Sequence, residues 1–142
     1  MRDRFNLFRF VEAQAPFYRN ALAELERGRK ETHWMWFVFP QIAGLGHSST
    51  ARYFAISSLE EARAYGAHPL LGARLLECTR TINASQAASA HDLFGSPDDL
   101  KFRSSMTLFR EAAEDPKPFQ AALDRYFDGE ADGRTLDILG DL

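Results

Sequence analysis

The segment from His33 to Thr50 contains most of the side chains in this chain that could bind a small molecule. It reads HWMWFVFPQIAGLGHSST and holds two tryptophans, two histidines, a glutamine and a Gly-Leu-Gly turn. Indole and imidazole rings can stack on a planar ligand, and glycines let the backbone approach a ligand closely. These residue types together predict a site for a phosphorylated, nucleotide-like molecule.

Trp36 and His33 would form the wall of that site. They are three positions apart, so a helix over residues 32–39 would place them on one face. Gln41 and the backbone after it would then hydrogen-bond the ligand. An alternative interpretation is that Trp34 and Trp36 fill the core or anchor a partner surface, in a helical module without catalytic activity.

The glycine loop leads into a second predicted helix, over residues 51–56, with Ser48, Ser49 or Thr50 as its N-cap. Free backbone N–H groups at a helix start favour an anion, and Arg52 in the first turn could add a positive charge. The loop lacks the G-K-[ST] of a P-loop and the strand that precedes a dinucleotide fingerprint. A plain connecting loop therefore remains the alternative.

A lysine on a later helix is the second candidate for charge recognition. In DDLKFRSSMTLF, helical spacing places Lys101 and Ser105 beside an apolar stripe that contains Phe102, Met106 and Phe109. A lysine there must extend to water, pair with a carboxylate or face a ligand. The ligand-binding prediction comprises His33, Trp36, Gln41, Gly44, Gly46, His47, Ser48, Arg52, Lys101 and Ser105.

A catalytic site of this kind would need a group that transfers a proton. Asp98, Asp99 and His47 are the candidates for the general acid or base, and the sequence does not rank them. No His, Cys, Asp or Glu set has the spacing of metal ligands, so we expect neither a metal nor another cofactor. Cys78 falls on the apolar stripe of its helix, which predicts a buried structural thiol.

Composition limits the class of protein and of partner. The chain has 142 residues, which suits one domain over residues 1–142, and 17 basic against 20 acidic residues give a net charge of −3. Nucleic-acid binding rests on clustered positive charge, so no nucleic-acid partner is expected. One cysteine, no signal-peptide pattern and no long apolar stretch predict a cytoplasmic protein without a membrane span.

Helix signals recur along the whole chain, and strand signals are poor. Predicted helices cover residues 7–14 behind an Asn6 cap, then 16–27, 32–39, 51–56, 58–66, 97–114 behind a Ser96 cap, and 118–127. Further starts fall at Pro69 and Thr135, and a short turn covers residues 89–95. The fold predicted is a single all-α domain with seven or eight helices, some of them short.

Two motifs also resemble a known family. The W-x-W-x-x-F-P-Q core at 34–41 and the K-x-R-S-S-M run at 101–106 are similar to the bacterial family called domain of unknown function 1810, over Phe5 to about Gly140. That resemblance implies a mostly helical single domain without an established activity. The D-x-K-x-R-S-x-x-x-L pattern also resembles a helix of the NADAR N-glycosidases. That resemblance implies that, if the protein is an enzyme, it hydrolyses an N-glycosidic bond of the ADP-ribose type.

Overall fold

The chain folds into ten α-helices within residues 3–142, the part that this computed structural model describes. The helices are α1 Phe8–Gln14, α2 Tyr18–Glu26, α3 Met35–Val38, α4 Ser49–Tyr53, α5 Leu59–Ala67, α6 Leu71–Asn83, α7 Ala90–Phe94, α8 Asp98–Ala112, α9 Lys117–Phe127 and α10 Gly133–Asp141. The all-α prediction is confirmed. Seven of the helices have seven or more residues, and α3, α4 and α7 have four or five.

Helix α8 is the centre of the domain, and α5, α7, α9 and α10 all pack against it. The predicted apolar stripe is buried at Phe102, Met106 and Phe109. The opposite side of the helix is covered as well, since Ser104 and Thr107 are buried beneath the segment that leads into α10. A helix enclosed on so many sides fixes the positions of the groups at its N-terminal end, where the candidate site lies.

Helix α6 contains the apolar stripe that the sequence predicts. Leu71, Leu75, Cys78 and Ile82 are all buried, and α6 packs against α2, α5 and α9. Burial raises the pKa of the Cys78 thiol to about 12, because the apolar surroundings disfavour the thiolate. Cys78 is therefore an unreactive packing residue, as its place on the stripe indicates.

Two of the predicted helix caps are wrong. Asn6 does not cap α1, because the carboxylate of Asp3 accepts the backbone N–H groups of Leu7 and Phe8 at 2.7 and 2.8 Å. Ser96 does not cap α8 either, since the residue before that helix is Pro97, which makes no side-chain hydrogen bond to its first turn. The acids that open α8 are instead used in ion pairs, described below.

A buried carboxylate organises the segment between α2 and α3. Glu24 accepts the backbone N–H groups of Glu31 and Thr32, the hydroxyl of Thr32 and the indole N–H of Trp34 at 2.6–3.0 Å. This arrangement places Trp34 in the core, with no exposed surface. The next turn of the chain, α3, therefore starts from a fixed point, and Trp36 is directed to the outer side of the core.

We expect Glu24 to make the protein less stable in acid. Burial alone raises the pKa of Glu24, but the donors of Thr32, Glu31 and Trp34 outweigh it and lower the pKa to about 2. The stabilisation is complete above the unfolded-state pKa near 4.5. As the pH falls through about 2, roughly 3 kcal/mol of unfolding free energy is lost. Urea unfolding between pH 6 and pH 2 measures this slope.

Glu24→Gln is the matched control for that acid dependence, because it keeps the shape of the side chain and removes the titrating group. The variant should be less stable than the wild type at pH 6, and the difference should shrink towards pH 2. Equal slopes in the two proteins would show that other carboxylates cause the acid sensitivity.

Candidate functional site

The loop between α3 and α5 is closed at its base by two backbone hydrogen bonds. Ile56 donates to the carbonyl of Gln41 and Ala43 donates to the carbonyl of Ile56, each at 2.8 Å. These bonds form a single parallel bridge between Ile42 and Ile56, both of which are buried. The glycine turn and α4 therefore form a fixed excursion from the core.

This excursion encloses a cleft of about 160 Å³, which we call the Trp36 cleft. Its lining residues come from α3, the glycine turn and α4 with the segment that follows it: Trp36, Gln41, Ile42, Ala43, Gly44, Gly46, Ala51, Arg52, Phe54 and Ala55. Five of them belong to the set predicted from the sequence, namely Trp36, Gln41, Gly44, Gly46 and Arg52. The fold thus brings these five residues to one concave surface.

Both glycines of the turn have a structural reason to be glycine. Gly44 has φ +106°, a conformation that side chains disfavour. A Cβ atom on Gly46 would lie 2.7 Å from the Cβ atom of Ala51, so a larger residue would push α4 away. The glycine turn therefore sets the width of the cleft, whatever the cleft contains.

A buried arginine fixes the far wall of the Trp36 cleft. Arg9 of α1 donates to the carbonyls of Tyr53 and Ala55 at 2.8 and 2.9 Å and pairs with the carboxylate of Glu61 at 2.8 Å. Phe54 lies between these two carbonyls in the chain, and its ring packs 5.7 Å from that of Phe10. The backbone on this side of the cleft is therefore held by charge-assisted hydrogen bonds.

Lys101 is not one of the residues that line the cleft, but it contacts Trp36, which does line it. Its ammonium nitrogen lies 5.0 Å from the centroid of the Trp36 ring, a cation–π contact. Asp98 positions it, with one carboxylate oxygen 3.3 Å from Lys101 and the other 2.8 Å from Lys30. Lys30 lies over the ring of Trp34 at 5.1 Å. The glycine turn, the tryptophan segment and the start of α8 therefore meet around Trp36.

The other predicted residues lie outside the Trp36 cleft. His33 precedes α3, is exposed, and shares no helical face with Trp36 because the helix begins only at Met35. His47 is exposed in the turn next to Gly46. Ser105 is fully buried, and its hydroxyl has no hydrogen-bond partner within the described chain.

Two further residues of the predicted set have local structural roles. Ser48 is exposed and accepts the backbone N–H of Ala51 at 3.1 Å, as the N-cap of α4. Asp99 faces His91, with 3.7 Å between its carboxylate and the imidazole nitrogen. Helix α4 spans Ser49–Tyr53 rather than 51–56 and has only five residues, so its dipole is a weak source of anion binding.

Metal ligands are not grouped in the described chain. Residues 3–142 contain no cluster of three or more His, Cys, Asp or Glu side chains that could hold a metal ion. No helix of the same residues has the length and apolar character needed to cross a membrane.

Comparison with known families decides what this chain is related to. The family described as "Protein of unknown function (DUF1810)" matches residues 4–139, nearly the whole chain. The protein belongs to the DUF1810 family. This confirms the first resemblance seen in the sequence, while the likeness to the NADAR proteins stays a prediction.

A solved structure supports the same assignment for this DUF1810 chain. It is the crystal structure of a conserved hypothetical protein from Mycobacterium tuberculosis, 54% identical, with a TM-score of 0.96. The alignment covers 97% of this chain and 99% of that one. The search of curated proteins gave no match. The comparisons therefore show the family and the fold of this chain.

Two buried cations that shape this DUF1810 site, Lys30 and Arg9, are absent from the set predicted from the sequence. Lys30 belongs to a basic cluster with Arg27 and Arg29 that suggests a solvated helix end, yet its side chain is only 6% exposed. Arg9 lies in a similar basic cluster near the N-terminus, where Arg2 falls outside the described residues. Their actual partners, Asp98 for Lys30 and Glu61 for Arg9, lie far away in the sequence, so no local pattern could have shown that both are buried and paired.

Proposed function

We propose that this protein binds a small phosphorylated, nucleotide-like molecule at the Trp36 cleft. The observation that carries the proposal is the position of Trp36, which lines the cleft together with Arg52 and also contacts Lys101. An aromatic ring between two cationic side chains suits a ligand that combines a planar group with an anion.

The size of the cleft sets which part of the ligand enters it. Pockets for complete drug-sized ligands measure roughly 300–1,000 Å³, and the Trp36 cleft measures about 160 Å³. We therefore propose that the cleft takes the charged end of the ligand. The remainder would lie over the exposed part of the glycine turn, which includes His47.

Hydrolysis of an N-glycosidic bond is the reaction that we propose for the bound ligand. Water adds to the anomeric carbon, the carbon–nitrogen bond breaks, and the departing nitrogen takes a proton. Both oxygens of Asp98 contact lysine ammonium groups, so this carboxylate suits the orientation of Lys101. His47 is exposed beside the cleft and is the group that we propose for proton transfer.

A second candidate function is a protein-interaction module without catalysis. Phe17 and Tyr53 are exposed, and they connect through Phe37 and Phe54 by ring contacts of 4.8–5.8 Å. Phe37 is buried and Phe54 half-buried, so Phe17 and Tyr53 are exposed rings anchored on a row of aromatic residues, an arrangement that favours a partner surface. Phe54 belongs both to this row of aromatic residues and to the lining of the Trp36 cleft. The two candidate functions therefore assign different partners, a small molecule or a protein, to neighbouring parts of the surface.

The proposal predicts that millimolar AMP or ADP-ribose raises the melting temperature of the protein. A ligand at ten times its dissociation constant adds about 1.4 kcal/mol of stability. Trp36→Ala should abolish the shift, and Tyr53→Ala, an exposed aromatic outside the cleft, should keep it. Chromatography of the same mixtures detects a released base. No shift with either compound would refute the proposed ligand class.

A further inference from the structure

Two lysines beside the Trp36 cleft share a single carboxylate. Lys30 is nearly buried, and its ammonium contacts Asp98 at 2.8 Å and the carbonyl of Thr32 at 2.6 Å. Lys101 lies farther from Asp98, at 3.3 Å, and its side chain is 25% exposed. Lys30 is thus the fully engaged partner, and Lys101 keeps hydrogen-bond donors that can reach a ligand.

Arg52 adds a second available cation on the cleft itself. It is exposed and is the single charged residue among the lining residues, and none of the ion pairs within residues 3–142 involves it. No carboxylate lines the cleft within that part of the chain. Because Lys30 compensates the charge of Asp98, Lys101 and Arg52 remain as two uncompensated positive charges, one in contact with Trp36 and one in the lining of the cleft.

The small volume of the cleft restricts how two negative charges can be delivered to it. A pyrophosphate bridge spreads its charges over two phosphorus centres and needs more space than a single tetrahedral group. A phosphomonoester carries up to two negative charges on one phosphorus centre at neutral pH. Within about 160 Å³, the single tetrahedral group is the better fit.

We infer that the Trp36 cleft recognises a terminal phosphomonoester, held between Lys101 and Arg52. This inference rests on the proposed function and narrows its ligand class to molecules such as nucleoside monophosphates. Asp98 is a positioning residue here, because it holds Lys101 against the ring of Trp36 while Lys30 compensates its charge. Charge-assisted contacts from Lys101 and Arg52 would discriminate a terminal phosphomonoester from ligands that lack one.

The inference is tested by comparing AMP with 3′,5′-cyclic AMP and adenosine at fixed ionic strength, by calorimetric titration of the full chain. These ligands share the base and the sugar and differ in the charge and geometry of the phosphate. AMP should bind at least about tenfold more tightly than cyclic AMP, which offers one charge, since each tenfold change corresponds to one good charged contact. Adenosine should bind more weakly still.

Lys101→Ala and Arg52→Ala should each remove most of the preference for AMP and change the affinity for adenosine little. Lys117→Ala is the matched control, because it removes the same charge at the exposed start of α9. Circular dichroism verifies that each variant is folded. Equal affinity for AMP and cyclic AMP would overturn the inference and leave the proposed function standing. The absence of binding by all three ligands would overturn both.

Discussion

Replacing Arg9 with methionine is expected to lower the free energy of unfolding by about 3–5 kcal/mol. The guanidinium pairs with the buried carboxylate of Glu61 and donates to four backbone carbonyls, those of Phe5, Asn6, Tyr53 and Ala55. Methionine fills part of the space but leaves the buried carboxylate of Glu61 without its cation, and the carbonyls of Phe5, Tyr53 and Ala55 without this donor. Urea unfolding at pH 7 measures the loss.

Arg4→Met provides the matched control for this prediction. Arg4 pairs with Glu60 at 3.6 Å, and both side chains are largely exposed, at 74% and 66%. An exposed pair of this kind contributes about 0–1 kcal/mol, so the variant should unfold almost like the wild type. If Arg9→Met were equally mild, the buried pair would not be the connection that holds the cleft wall.

The Arg9→Met variant also tests whether Arg9 affects ligand binding in addition to its effect on stability. Arg9 holds the carbonyls of Tyr53 and Ala55, on either side of Phe54 in the cleft wall. We therefore expect folded Arg9→Met protein, studied below its melting temperature, to bind AMP more weakly than the Arg4 variant does. This secondary effect follows because the wall loses its hydrogen-bonded support while the residues that line the cleft stay unchanged.

Replacing Gly72 with alanine is expected to lower the free energy of unfolding by about 3 kcal/mol. A Cβ atom on Gly72 would lie 2.1 Å from the backbone carbonyl oxygen of Gly66, so α5 and α6 could not keep their present separation. The contact involves backbone, which cannot rotate away as a side chain can. For a domain of this size the melting temperature should fall by roughly 10 °C.

Gly66→Ala is the control for the Gly72 prediction, from the other half of the same contact. A Cβ atom on Gly66 would meet nothing within 4 Å, so the substitution removes only the flexibility of glycine inside α5. We expect a gain of about 0.5–1 kcal/mol. If Gly72→Ala lowers the free energy of unfolding and Gly66→Ala raises it, helix propensity is excluded as the cause. If both variants change the free energy of unfolding in the same direction, the close approach of α5 and α6 is contradicted.

Local signals in the sequence were sufficient for most helices. The apolar spacing of Leu71, Leu75, Cys78 and Ile82 predicts the buried face of α6, and all four residues are buried. Ser58 marks the start of α5, where its hydroxyl accepts the backbone N–H of Glu61 at 3.1 Å. These features depend on residues a few positions apart, which a sequence displays directly.

The predicted wall of the site needed information that periodicity does not carry. A helix over residues 32–39 would have paired His33 with Trp36, but Glu24 fixes residues 31–34 in a non-helical conformation and α3 begins at Met35. Similarly, Ser104 and Thr107 are buried because Asp132, from a distant segment, bonds both of them. In both examples the deciding contacts join residues from different segments of the chain.

The helical class and the family motifs could be predicted from the sequence, since each depends on composition or near-neighbour spacing, and five of the residues proposed for a site line the Trp36 cleft. The tertiary structure alone decided that these five residues share a concave surface. It also decided that Lys30 and Lys101 share Asp98, and that Arg9 is buried against Glu61. The physical reason is that a charge acquires its partner and its burial only when distant segments pack, whereas a helix forms largely from interactions along its own length.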